Sequence, residues 1–134
     1  MMELPEVVHC TKQVLNGLSC LHSQKPRILH RDLKPSNILF FQGKTCVTYK
    51  IADFGVAALV DHTTTGTYAG TKKYMAPETL MGKKINERAD VFSLGVILWQ
   101  ITTGLDPNPS KFGAKGIIQE MMRNRWPNWE AQGR

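Results

Sequence analysis

Between positions 90 and 103, Val91, Phe92, Leu94, Val96, Ile97, Leu98, Trp99 and Ile101 occupy nearly the whole circumference of a helical wheel. A helix that is apolar on almost every side has no face to give to water, so it belongs at the centre of a packed domain with other elements around it. Gly104, Pro107 and Pro109 follow and predict its end. Asp90, at its start, is expected to cap it and to hold loop backbone by hydrogen bonds.

The remaining chain supplies what must surround that helix. Over residues 4–23, Val7, Cys10, Val14, Leu18 and Leu21 recur at gaps of three and four and draw one apolar face, which predicts an amphipathic helix closed by Pro26. Residues 38–41 and 46–51 are β-branched and aromatic, and the four residues between them include Gly43, so they read as a hairpin. Residues 53–71 lose all periodicity among glycines and threonines, as functional loops often do. A weaker helix is expected over 114–123, with Trp126 and Trp129 packing beyond it. No repeat or linker divides the chain, and 134 residues suit one domain.

Charge and cysteine usage exclude several functions. The formal net charge is +6, but the cations come singly or as the pairs Lys72–Lys73 and Lys83–Lys84, without the basic stripe that nucleic-acid binding requires. Cys10, Cys20 and Cys46 have neither CxxC spacing nor a histidine at ligand separation, so they read as buried free thiols in a reducing compartment. No leader opens the chain and no apolar run reaches the ~20 residues of a membrane span, which suggests an intracellular, cytoplasmic protein.

The chemistry concentrates in HRDLKPSN, residues 30–37. Asp32, Lys34 and Asn37 stand at offsets of zero, two and five on a stretch expected to be extended, with Pro35 holding the chain open between them. A carboxylate can take a hydroxyl proton, an ammonium can neutralise phosphate oxygens, and an amide oxygen can ligate a hard cation. Asp53, after the second strand, can supply a second hard ligand. These are the parts of a phosphoryl-transfer site.

HRDLKPSN, then ADFG, then GTKKYMAPE, then DVFSLGVILW occur in the order and at the intervals of the eukaryotic protein kinase family, which this chain resembles across residues 4–123. The resemblance implies the serine/threonine class, with ATP and Mg2+ as cofactors and a protein as substrate. It makes Asp32 the catalytic base, Lys34 a contact of the γ-phosphate, and Asn37 and Asp53 the magnesium ligands. Leu39 would form part of the floor beneath the adenine, and Phe54 would pack against His30. Thr71 would hydrogen-bond near Asp32 and Lys34 and shape the substrate site. Thr67 would accept an activating phosphate, from an upstream kinase or by autophosphorylation, and Arg31 would meet it. Thr63, Thr64 and Thr65 read as a solvated loop, and His9, His22 and His62, without partners at ligand spacing, as helix-surface or loop residues.

The resemblance further implies a mainly α fold with a short β-hairpin. Residues 1–134 would be the central part of the large C-terminal lobe, from the helix before the catalytic loop through the helix after the buried one. The glycine-rich loop, strand lysine and helix glutamate of the small lobe would lie outside, as would later helices carrying an arginine partner for Glu78. The 134-residue polypeptide alone is therefore expected to be inactive and to leave apolar surface uncovered. The alternative is a naturally short, non-catalytic kinase-like binding or regulatory module.

Overall fold

The computed structural model describes residues 2–55, 57–59 and 72–107, so the expected helix at 114–123, both late tryptophans, Thr63 to Thr65, Thr67 and Thr71 fall outside the described residues. Helix α1, Leu4–His22, carries Pro5 in its first turn, where a missing N–H costs nothing, and His22 in its last, where a basic group suits the helix dipole. Its buried residues are Val7, Cys10, Val14 and Leu18, the face drawn by the sequence spacing.

Two short sheets follow. Strand β1, Ile28–Leu29, precedes a 3₁₀ turn at Pro35–Asn37 and a hairpin of β2, Ile38–Gln42, and β3, Val47–Ile51. The hairpin is antiparallel with Ile38 opposite Ile51 and Gln42 opposite Val47. Strand β4, Ala58–Leu59, pairs antiparallel with β1, a pairing that the irregular composition of this stretch does not signal. The hairpin packs on α1, and Gly17 permits the approach: a Cβ there would lie 3.0 Å from Cδ1 of Ile51.

A second 3₁₀ turn, Lys72–Tyr74, and the short helix α2, Pro77–Leu80, lead into helix α3, Arg88–Thr103. Gly104 ends α3 in the left-handed conformation, φ 71°, and donates its N–H to the Gln100 carbonyl at 2.8 Å. Leu94, Val96 and Ile97 of α3 meet Cys10, Val14 and Leu18 of α1 in the main core, joined by Leu33 and Tyr74. Trp99 is 2% exposed. Among the described residues the apolar girdle is not fully covered, since Val91 is half exposed.

Two expectations need correction. Asp90 does not cap α3: the helix begins two residues earlier, behind Glu87, which makes no side-chain cap bond. Of the three cysteines only Cys10 is buried, because its position belongs to the inward face of α1; Cys20 and Cys46 are exposed.

Candidate active site

Residues 30–37 leave β1 at the buried Leu29 and pass through a contorted segment that three anchors hold in place. The first is His30, which is fully buried. Its Nε2–H donates to the Ala52 carbonyl at 3.0 Å, which leaves Nδ1 as the acceptor facing the Asp32 N–H at 3.4 Å, so the two partners set one neutral tautomer. The Phe54 ring packs edge-on against it, centroids 5.4 Å apart, as expected.

The second anchor is Asp90, a carboxylate 1% exposed in the first turn of α3. Its Oδ2 accepts the His30 N–H at 3.0 Å and its Oδ1 the Arg31 N–H at 2.9 Å. Asp90 thus holds the loop backbone as anticipated, and these bonds fall where the chain most needs them. Arg31 has φ 67°, a left-handed backbone that costs a side-chain-bearing residue about 1–3 kcal/mol and persists only where the surroundings enforce it. The third anchor is Leu33, 1% exposed in the main core. With Leu33 buried, its neighbours Asp32 and Lys34 turn to the open side.

There the ionic groups converge. Lys34 Nζ lies 2.7 Å from Asp32 Oδ2, their side chains 24% and 10% exposed. Lys34 is extended, at φ −155° and ψ 163°, but Pro35 does not hold the chain open. Its fixed φ starts the 3₁₀ turn instead, and the Asn37 N–H donates to the Lys34 carbonyl at 3.0 Å. That turn folds buried Asn37 back, so its Nδ2 donates to the Asp32 carbonyl at 2.8 Å and faces Asp32 Oδ2 at 3.4 Å. With the amide nitrogen committed to Asp32, the Asn37 carbonyl oxygen points the other way.

Asp53 is brought alongside by backbone: the Ala52 N–H donates to the backbone carbonyl of Asn37, not to its side-chain amide oxygen, at 2.9 Å. Asp53 is exposed, has φ 63°, and accepts the Gly55 N–H on Oδ1 at 3.2 Å. Asp32, Lys34 and Asn37 are thus in contact, and Asp53 follows the residue whose N–H is bonded to the Asn37 backbone. Leu39 sits on β2 opposite Lys50, with its side chain 44% exposed. Arg31 is half-buried beside Asp32. Thr67 and Thr71 lie outside the described residues. Downstream, Ser93 Oγ–H donates to the Tyr74 carbonyl and the Tyr74 hydroxyl donates to Gln100, both at 2.8 Å, and burial pushes that hydroxyl above its ordinary pKa. Glu78 forms no ion pair among the described residues.

The expectation for His22 is corrected here, while His62 lies outside the described residues. His22 Nε2 donates to Asp90 Oδ2 at 2.8 Å, its side chain 14% exposed. Its position extends the buried series Val14, Leu18 by four more residues, a signal available in the sequence. His9 lies on the exposed side but contacts the Val47 carbonyl at 2.7 Å. Among the described residues no group of three or more histidine, cysteine or acidic side chains forms a metal cage, and no helix is long and apolar enough to cross a membrane.

The sequence model of the family described as the protein kinase domain matches residues 1–132. A protein of Acanthamoeba polyphaga mimivirus named as a serine/threonine-protein kinase/receptor is 47% identical over 91 residues, covering 68% of this chain and 5% of its own length. The mitogen-activated protein kinase kinase SIPKK of Nicotiana tabacum is 45% identical over 98 residues, 72% of this chain and 26% of its own. The cysteine-rich receptor-like protein kinase 26 of Arabidopsis thaliana is 41% identical over 123 residues, 87% of this chain and 18% of its own.

Proposed function

The chain belongs to the protein kinase domain family, and from that premise we propose that it carries the catalytic loop of a serine/threonine protein kinase. The parent enzyme transfers the γ-phosphate of ATP to serine or threonine hydroxyls of protein substrates, and residues 1–134 form the central part of its large, mainly helical lobe. The observation that carries this reading is the closure of Asp32, Lys34 and Asn37 into one cluster beside Asp53. A purely binding module has no physical need to keep a base, a phosphate-neutralising cation and two hard oxygen donors together.

Each residue has a task in this reading. Asp32 orients the substrate hydroxyl and accepts its proton. Lys34, now paired with that carboxylate, is near enough to neutralise oxygens of the transferring phosphate. The outward carbonyl of Asn37 and the exposed carboxylate of Asp53 are hard oxygen donors that fit Mg2+, which takes few protein ligands and completes its octahedron with phosphate and water. When bound, the ion offsets charge on the phosphate oxygens. Leu39, exposed on β2, offers an apolar contact for the adenine. Thr71 is the candidate for shaping the substrate site, and Thr67 for an activating phosphate that Arg31 would meet.

The test is Asp32→Asn in the full-length gene product. It should lower phosphate transfer by about 10²–10⁴-fold, the contribution typical of a positioned general base, while nucleotide binding is retained. Undiminished turnover would overturn the assignment.

A further inference from the structure

We propose that the outer edge of β2 is a docking site for an extended peptide in which acidic and apolar residues alternate. The two edges of the hairpin are unlike. The Gly43 N–H is bonded to the Cys46 carbonyl at one end, and the Ala52 N–H to the Asn37 carbonyl at the other. In an antiparallel ladder the inward-bonded pairs alternate with pairs whose backbone points outward. Val47 and Tyr49 therefore point their N–H and C=O groups out from β3, and Phe40 and Gln42 point theirs out from β2.

The β3 edge is closed by α1. Gln13 Oε1 accepts the Tyr49 N–H at 2.7 Å, its Nε2 faces the Val47 carbonyl at 3.4 Å, and His9 Nε2 contacts that carbonyl at 2.7 Å. One side-chain amide thus stands in for the peptide unit of a neighbouring strand. On β2 the Ile38 N–H is bonded to the Pro35 carbonyl, but the outward groups of Phe40 and Gln42 have no partner among the described residues. Phe40 and Phe41 are 68% and 51% exposed. Proteins blunt their sheet edges with charge, proline or a covering group, as on β3, and an apolar edge left bare is a template for a further strand.

The side chains define what that strand carries. On one face Phe40 stands opposite Tyr49, whose hydroxyl is bonded to Glu6. An apolar residue suits that face, where an acid would meet the Glu6 charge. On the other face Lys50, opposite Leu39, reaches diagonally across β2 and sets Nζ 5.5 Å from the Phe41 ring centroid. The ammonium stands over the edge strand itself, where a carboxylate on an added strand can meet it. Lys44 is exposed between β2 and β3, and residues 38–51 contain no acid. A second copy would bring the same lysines to the same edge, so charge favours an acidic peptide over self-pairing.

The experiment uses the full-length gene product and the fluorescence anisotropy of a labelled octapeptide, three Glu-Val repeats between glycines. It should bind at least about tenfold more tightly than the same peptide with Lys-Val repeats, and Lys50→Glu should reverse that preference. Gln42→Pro removes an outward donor without touching the β2–β3 ladder, and should weaken binding by about tenfold, the scale of one hydrogen bond. N-methylation of the valine amides, which face β2 in an antiparallel addition, should weaken binding at least about tenfold, and N-methylation of the glutamate amides less than about threefold. That contrast alters only the peptide, so it decides even where a protein variant does not fold. No binding, equal losses from the two N-methylated peptides, or an unchanged preference in Lys50→Glu would each overturn the proposal. A concentration-dependent dimer that Gln42→Pro abolishes and the Glu-Val peptide leaves intact would overturn it as well, and would assign the edge to a second copy.

Discussion

Arg31 and Asp53 are the two non-glycine residues with left-handed backbone among those described, at φ 67° and 63°, and they flank one site while being held in opposite ways. At Arg31 the restraint is tertiary: its N–H is fixed by a carboxylate from α3, between the buried side chains of His30 and Leu33. At Asp53 it is local, a turn closed by its own carboxylate on the Gly55 N–H, with Asp53 exposed and Phe54 half exposed. Strain of similar size is thus enforced by the core on one side and by two residues of sequence on the other. The lesson is a site with one fixed half, carrying the proposed base, and one half held only locally, carrying a proposed metal ligand.

Cutting the tertiary hold should give the largest effect. Asp90→Ala leaves one buried and one part-buried amide donor and the part-buried His22 ring without their acceptor, and orphaned buried groups cost about 1–3 kcal/mol each. Denaturant unfolding of the full-length gene product should show a loss on the order of 3–5 kcal/mol, with phosphate transfer lost as well. A loss below about 1 kcal/mol would mean that the loop holds its shape locally, and the contrast with Asp53 would disappear.

Asp53→Asn should give the opposite signature. Asparagine tolerates left-handed backbone and can still accept the Gly55 N–H, so stability should stay within about 0.5 kcal/mol. Replacing a carboxylate by an amide at the proposed magnesium ligand should nevertheless reduce transfer at least about a hundredfold, read as kcat at saturating ATP. Substantial destabilisation would show that Asp53 carries tertiary weight that its exposure does not reveal.

The same contrast explains what was legible in the sequence. The loop from Asp32 to Asn37 and the DFG turn are contiguous, so their chemistry could be read from spacing, as could the inward face of α1 and the span of the hairpin. Contacts between distant segments could not. The His22–Asp90 bond joins residues 68 positions apart; the spacing from Leu18 places His22 on the inward face of α1, but it does not name the partner. Pro35 misled for a local reason, because a fixed φ near −65° serves a 3₁₀ turn as readily as an extended chain. Cys20 and Cys46 were judged by residue type, whereas burial follows position on an element. The pairing of Ala58–Leu59 with Ile28–Leu29 depends on a return of the chain that no residue in either pair announces.

A smaller effect probes the locally held half directly. A Cβ at Gly55 would stand 3.1 Å from Asp53 Oδ1, tight enough to displace the carboxylate by a few tenths of an ångström. Gly55→Ala should therefore leave the melting temperature nearly unchanged and raise the magnesium concentration for half-maximal activity by about threefold, since sub-ångström misplacement costs a fraction of the ~10²-fold seen for 1 Å. An unchanged magnesium requirement would show that the carboxylate already turns freely enough to absorb the contact.

The smallest effect concerns the hairpin that joins the halves, running from Asn37 to Asp53 and tied to α1 at its surface. The Tyr49 hydroxyl donates to Glu6 Oε1 at 2.8 Å, and burial, together with that bond and the negative charge, raises its pKa to about 12. Because the folded pKa lies above the ordinary value of 10, the neutral phenol is the form that folding favours. Its contribution is complete below pH 10 and lost as pH rises through about 12. Glu6→Gln should bring the pKa down toward 10, seen as an earlier phenolate absorbance step that Tyr49→Phe abolishes. With the bond exposed, the melting temperature should move by less than about 4 °C. If Glu6→Gln destabilised the protein as much as Asp90→Ala, hairpin docking would hold the site as firmly as α3 does, and the line between its fixed and locally held halves would lie elsewhere.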